Sequence, residues 1–175
     1  MNDATAVQLA PLREIDGAFA AAGIDWWLFG GWAMDAHAGR VTRDHSDIEL
    51  FVRLEHGDAA RTALTRRGFV APPPVHPDEG QPFLRDGHEV GVWFVTEDAG
   101  RSFVTPGRWA DWPWPAGSFD GPRVCLGDLA LPAMSVAGLL DMKRGFAAHP
   151  HGASLRPKDE ADILLLLRLA SGEPG

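Results

Sequence analysis

Cysteine is nearly absent from this 175-residue chain. The lone Cys125 can form no disulfide within the chain and supplies no thiolate cage for zinc, so a small buried apolar role is expected for it. Long apolar runs are missing too. The longest, Ile163 to Leu167, falls far short of the ~18 residues of a membrane span. The opening MNDATAVQLAPLREID has an early acid instead of a basic segment followed by an apolar one. These features lead to the expectation of a soluble cytoplasmic protein with no membrane partner. Positive charge is also scarce: 16 Lys and Arg face 24 Asp and Glu, a net charge of −8, and Lys143 and Lys158 are the only lysines. That balance argues against a nucleic acid polymer as partner and is compatible with a cationic small substrate. With 20 glycines, 14 prolines and 45% apolar residues, the composition is that of a packed globular chain, and its length suits one domain.

Apolar residues at Leu12, Ile15, Phe19 and Ala22 recur at helical spacing up to Gly23, which predicts an opening amphipathic helix. Ile24 to Phe29 reads as a strand, Gly30-Gly31 as a turn, and Trp32 to His37 as a short helix ended by Gly39. Asp47 to Val52 reads as a second strand with Asp47, Glu49 and Phe51 on one face. Asp58 or Gly57 is expected to cap a helix running to Gly68, with Phe69 to Ala71 a short strand. Asp86-Gly87 predicts a two-residue hairpin between Phe83-Leu84-Arg85 and His88 to Val95. The Trp- and Pro-rich segment Arg108 to Pro115 predicts a long loop, followed by edge strands near Val124 to Leu126 and Leu129 to Leu131. Two helices close the chain, one capped by Ser135 and one opened by Pro157.

The pair Asp47 and Glu49 lies two residues apart on one strand. Their Cα atoms are then ~6.5 Å apart, so the carboxylates converge on cations or repel each other without them. A solvated edge face is the alternative for such a pair taken alone. Gly30-Gly31 between a strand and a helix leaves backbone N–H groups free to approach phosphate, although a plain tight turn uses the same residues.

The whole run Gly30-Gly31-Trp32-Ala33-Met34-Asp35, then Gly39-Arg40-Val41-Thr42-Arg43-Asp44-His45-Ser46-Asp47-Ile48-Glu49, is more specific. It resembles the signature of the small antibiotic nucleotidyltransferases, the aminoglycoside and lincosamide adenylyltransferases of the DNA polymerase β-like superfamily. There GGW-x-x-D is followed by G-x-x-T-R-x-H-x-D-I-D. A looser likeness extends to the Ser135 to Lys143 helix and to Arg156-Pro157-Lys158-Asp159 with Asp162. The resemblance implies an α+β fold with a mixed sheet flanked by helices. A nucleotidyltransferase-like unit would span 1–131, with C-terminal helices over 132–175.

It further implies transfer of a nucleoside monophosphate, AMP from ATP above all, to a hydroxyl of a small antibiotic-like molecule. Magnesium would be held by Asp47 and Glu49, and phosphate by Gly30 and Gly31. Arg43 and His45 would orient phosphate or the metal-bearing strand, or else serve as a salt bridge and a backing hydrogen bond. Lys143 would pair with phosphate or with helix neighbours such as Asp159 and Asp162. Asp35 is expected to brace the turn.

Two departures from the signature matter. Glu49 stands where the family has Asp. The third acid of the later hairpin strand is also missing, since Gly91 occupies its position. Glu89 shares that face and would substitute as a catalytic acid only if the strand were shifted or bulged. A degenerate relative that binds a small molecule, a nucleotide or a protein through the Trp109-Trp112-Trp114 loop is therefore the alternative, as is a diverged biosynthetic reaction.

Overall fold

A computed structural model describes residues 3–173 and the side chains from Leu9 onward; expectations that touch Met1, Asn2, Pro174 or Gly175 lie outside the described residues. Among the described residues five α-helices surround a mixed sheet: α1 (Asp3–Ala22), α2 (Gly30–Ala38), α3 (Gly57–Thr65), α4 (Val136–Phe146) and α5 (Pro157–Ala170). The strands are β1 (Trp26–Phe29), β2 (Asp47–Arg53), β3 (Gly80–Arg85), β4 (His88–Glu97), β5 (Phe103–Val104), β6 (Val124–Leu126) and β7 (Leu129–Leu131). This is the α+β class expected.

The main sheet runs β1-β2-β4-β3, with β5 added to β4. β2 and β4 are parallel, while β1 pairs with β2 and β3 with β4 antiparallel. A parallel neighbour requires a crossover, and α3 with the loop after it supplies the chain for one. The β3–β4 hairpin turns at Asp86 and Gly87, whose φ values of 51° and 79° are both positive, the geometry of a type I′ turn. Leu12, Ile15 and Phe19 of α1 are fully buried, and Phe19 meets the Trp26 ring edge-on at 5.9 Å.

Several local expectations are corrected. The diglycine is the first turn of α2 itself, not a turn ahead of it, and Phe29 at the N-cap offers no side-chain acceptor. Neither Asp58 nor Gly57 caps α3; His56 holds that position, and its Nδ1 instead accepts from the Asp25 amide at 3.0 Å. Phe69 to Ala71 makes one bridge, Val70 to Leu84, instead of a strand. Ala22 is exposed. Cys125 is free and exposed, because the β6–β7 hairpin turns Leu126, Leu129 and Leu131 inward and leaves Cys125 and Ala130 on its outer side.

The Ser135 cap of α4 is present, its side chain accepting from the Gly138 amide at 3.2 Å. The strap 132–134 docks along β1 through Leu28 N–H to the Pro132 carbonyl and Met134 N–H to the Leu28 carbonyl, both 2.9 Å. That strap delivers α4 to the edge of the sheet, where α4 and α5 pack on each other and on α2. No helix among the described residues is long and apolar enough to cross a membrane.

Candidate active site

The chemistry-bearing residues gather where β2, the start of α2 and the last two helices meet. Gly30 has φ +66°, and a Cβ built on it would lie only 1.9 Å from Oε2 of Glu49. Only glycine lets that carboxylate lie against the helix start. Burial, then the negative charge of Asp47, pushes the Glu49 carboxyl up from 4.5 to about 7, although Lys143, Lys158 and Arg156 pull the other way. Asp47, at the exposed end of β2, accepts from the Ser46 hydroxyl at 3.2 Å.

Behind this pair the loop 39–46 is tied down by one buried carboxylate. Asp35 accepts from the Thr42 amide at 3.1 Å, from the Thr42 hydroxyl, and from His45 Nε2 at 2.6 Å. Arg43 donates to His45 Nδ1 at 3.0 Å. Because an arginine has only donors, Nδ1 is the acceptor and the His45 proton sits on Nε2, facing Asp35. The imidazole and the Arg43 guanidinium fill the space that a Cβ on Gly31 would take, at 2.4 and 2.7 Å. Here Arg43 and His45 brace the loop that launches β2.

The parallel register is unbroken from Asp47 opposite Glu89 to Arg53 opposite Val95. Gly91 therefore stands beside Glu49, the position from which an acid is missing, and the Trp93 indole lies 2.9 Å from where its Cβ would be. The bulge that would carry Glu89 into that position is not there; Glu89 is exposed beside Asp47. Among the described residues no three His, Cys, Asp or Glu side chains come close enough together to hold an ion. The two acids of β2 that lie within each other's field here are Asp47 and Glu49.

Lys143 donates to Asp159 Oδ1 at 2.7 Å, and its Nζ lies 2.9 Å from Asp162 Oδ2. The second contact is an ion pair whose angle leaves that oxygen without a hydrogen bond. Asp159 also takes the Arg156 amide and two of its guanidinium nitrogens at 2.7–3.1 Å, which holds its carboxyl far below the usual carboxylate range. Arg43 reaches Asp162 at 3.7 Å.

A cavity of about 480 Å³ opens beside Glu49, with Lys143, Arg156 and Asp159 also in its wall. The Trp109-Trp112-Trp114 loop forms one wall: Trp112 lies against Gly145 of α4 and donates to Asp141 at 3.0 Å, while Trp109 stacks on Phe146 and His149. Glu79, which the sequence did not single out, sits buried in the same wall. It accepts from the amide, Nε and Nη2 of Arg108 at 2.9 Å each and from Trp109 Nε1 at 3.2 Å. The Arg108 hydrogen bonds outweigh its burial and hold it down from 4.5 to about 2. The separation of 29 positions between the partners explains why no local pattern announced this pair. Its one local trace is Gly107, whose positive φ brings the backbone against the Glu79 side chain.

An acidic pair on a central strand, set beside a glycine helix start in this sheet order, defines a nucleotidyltransferase-type α+β protein. The solved structures agree at the level of the fold. ANT(2'')-Ia in complex with adenylyl-2''-tobramycin superposes with a TM-score of 0.75 at 19% identity over 91% of this chain and 87% of that one. The lincomycin-bound lincosamide antibiotic adenylyltransferase LnuA does so at 0.67 and 19%, over 90% and 95%. Among curated relatives, 2''-aminoglycoside nucleotidyltransferases of Klebsiella pneumoniae and Escherichia coli are each 46% identical over 43 residues, which is 25% of this chain and 24% of each relative. The match thus spans about a quarter of their length. The model of the aminoglycoside-2''-adenylyltransferase family matches residues 11–163. The chain belongs to that family.

Proposed function

We propose that this protein transfers a nucleoside monophosphate, AMP from ATP in the first instance, to a hydroxyl of a small antibiotic-like molecule. The observation that carries the reading is the carboxylate pair Asp47 and Glu49, with Glu49 pressed against the glycine start of α2 and made hard to ionise by burial and by its neighbour. A divalent cation relieves both costs at once. Two carboxylates are also a fitting donor set for magnesium, which keeps waters and takes its remaining ligands from substrate phosphates. Bound there, magnesium would neutralise the triphosphate and acidify the attacking hydroxyl.

The chain's own residues do the rest. The uncapped first turn of α2 offers backbone N–H groups and the positive end of the helix dipole to phosphate oxygens. Lys143, Lys158 and Arg156 face Glu49 closely enough to lower its pKa, and they present positive charge to the same phosphates. Arg43 and His45, braced by Asp35, hold the loop that aims Asp47. With β4 unbulged, Glu89 stays beside Asp47 and not beside Glu49, so the hydroxyl proton is not assigned to it.

Mass spectrometry tests the reading. Protein incubated with magnesium, each of ATP, GTP, CTP and UTP, and a panel of aminoglycosides and lincosamides should yield a nucleotidylated product, which Asp47→Asn abolishes. One observation favours a second reading: Gly91 and the Trp93 ring occupy the place of the third acid. Nucleotide uptake with no pyrophosphate release in any of these mixtures would select a binding protein that has kept the fold and lost turnover.

A further inference from the structure

The cavity beside Glu49 has a charge pattern unsuited to a polycation. Six charged side chains reach its wall, Glu49, Glu79 and Asp159 against Arg108, Lys143 and Arg156, so the signs balance. Two of the three acids are already saturated. Glu79 takes four donors from Arg108 and Trp109. Asp159 takes four from Lys143 and Arg156. A carboxylate has about four lone-pair sites, so an incoming ammonium group would have to displace an arginine or the lysine. The third acid, Glu49, would be taken up by the magnesium of the proposed reaction. Asp141 holds the Trp112 indole, and Asp111 pairs with His149, which stacks on Trp109.

The remainder of the wall is mostly apolar, with Thr105 and Ser154 its neutral polar members. Four indoles (Trp93, Trp109, Trp112 and Trp114), Phe29 and Phe51 line it, and three of the indole N–H groups are spent on Glu79, Asp141 and Thr105. The volume of about 480 Å³ is that of a pocket for a drug-sized molecule, well beyond a single base. The cavity shares Glu49 with the acidic pair and includes none of Gly30, Gly31 or Arg43. A molecule seated in it therefore meets the reacting centre at Glu49, alongside the positive charge of Lys143 and Arg156.

We infer that this cavity is the acceptor subsite, and that it selects a hydroxyl compound with a flat or apolar ring body and at most one positive charge, in preference to a polycationic aminosugar. The inference rests on the nucleotidyl-transfer reading and narrows its acceptor class. In a departure from what the acidic composition allowed, the many surface acids do not translate into an acidic binding wall.

The test uses the full chain saturated with magnesium and α,β-methylene-ATP, with the indole ¹H–¹⁵N signals assigned by Trp→Phe variants. The probes are 4-nitrophenyl β-D-glucopyranoside, a neutral aryl glycoside, and tobramycin, a polycation. The glycoside should shift the Trp93 and Trp112 signals saturably, and Trp93→Ala should weaken its binding about tenfold. Tobramycin should leave those signals in place at ~0.15 M salt. The proposal is overturned if tobramycin moves them at equal or lower concentration, or if neither probe does. It also fails if the nucleotide analogue alone moves them and competes with the glycoside, because the cavity then houses the base. Calorimetry of magnesium and analogue uptake is read separately. No uptake there sinks the nucleotidyl-transfer reading, whereas uptake with no indole response sinks only the acceptor assignment.

Discussion

Gly30→Ala separates the two reasons for glycine at the start of α2. The residue has φ +66°, and forcing an alanine into that left-handed region costs about 1–2 kcal/mol. Its methyl group would also sit 1.9 Å from Oε2 of Glu49. That atom ends a flexible side chain, so the contact relaxes by swinging the carboxylate out toward water, where it regains hydration. The second effect should therefore register in ligand binding and scarcely in stability. Gly39→Ala is the internal control: φ is +70° at the other end of the same helix, and nothing lies within 4 Å of the added methyl. Urea unfolding should show both variants destabilised by about 1–2 kcal/mol and equal to within ~0.5 kcal/mol. Calorimetry with magnesium and α,β-methylene-ATP should show Gly30→Ala weakened at least tenfold, about 1.4 kcal/mol, with Gly39→Ala unchanged. If Gly30→Ala binds as tightly as the parent, Glu49 is not a ligand held by that glycine, and the site as described is wrong.

Other residues offer equally direct tests. Asp35→Asn sets an amide donor against the His45 Nε2–H and should cost about 1–3 kcal/mol; ¹⁵N signals of the imidazole should report loss of the Nε2–H tautomer, and an unchanged tautomer would refute the bracing role. Glu79 is held down from 4.5 to about 2 in the folded protein, so its contribution is complete above pH ~4.5 and drains away as pH falls toward 2. That displacement corresponds to about 3 kcal/mol in full, and to about 1–2 kcal/mol once solvent around the half-exposed Arg108 is allowed for. Glu79→Gln should lose that amount at pH 7 in urea unfolding and show a flatter acid limb than the parent, and parallel limbs would contradict the pairing. Gly91→Asp, which restores an acid beside Glu49, crowds the Trp93 indole at 2.9 Å. Alone it should destabilise the fold by about 1–3 kcal/mol without raising turnover; pyrophosphate release should rise only when Trp93→Ala makes room, and a gain from the single change would show that the indole is no obstacle.

Much of the fold was legible because its signals are local. The 3.6-residue spacing of Leu12, Ile15 and Phe19, the Asp86-Gly87 turn, the Ser135 cap and the proline opening α5 each act through neighbours a few residues away. The diglycine at Gly30 signals a turn by composition, since glycines are punctuation in most sequences, yet it opens α2 itself. Cys125 was expected inside because free cysteine usually is, yet its face of β6 was set by which side of that hairpin found the core.

The sequence by itself determined the run from Gly30 to Glu49: carboxylates two apart on a strand share a face by geometry alone, and the glycines ahead of them permit a close backbone approach. What only the tertiary structure decided is what surrounds that run. The parallel register of β2 on β4 aligned Gly91 with Glu49 and left Glu89 at the exposed end. The packing of α4 and α5 bound Lys143 to Asp159 and Asp162, and the tryptophan loop folded onto α4 to close an aromatic, charge-balanced cavity. These are contacts between residues 16 or more positions apart. Pairings at that range are set by burial and by satisfying polar groups across the whole chain, so no window of neighbouring residues carries them.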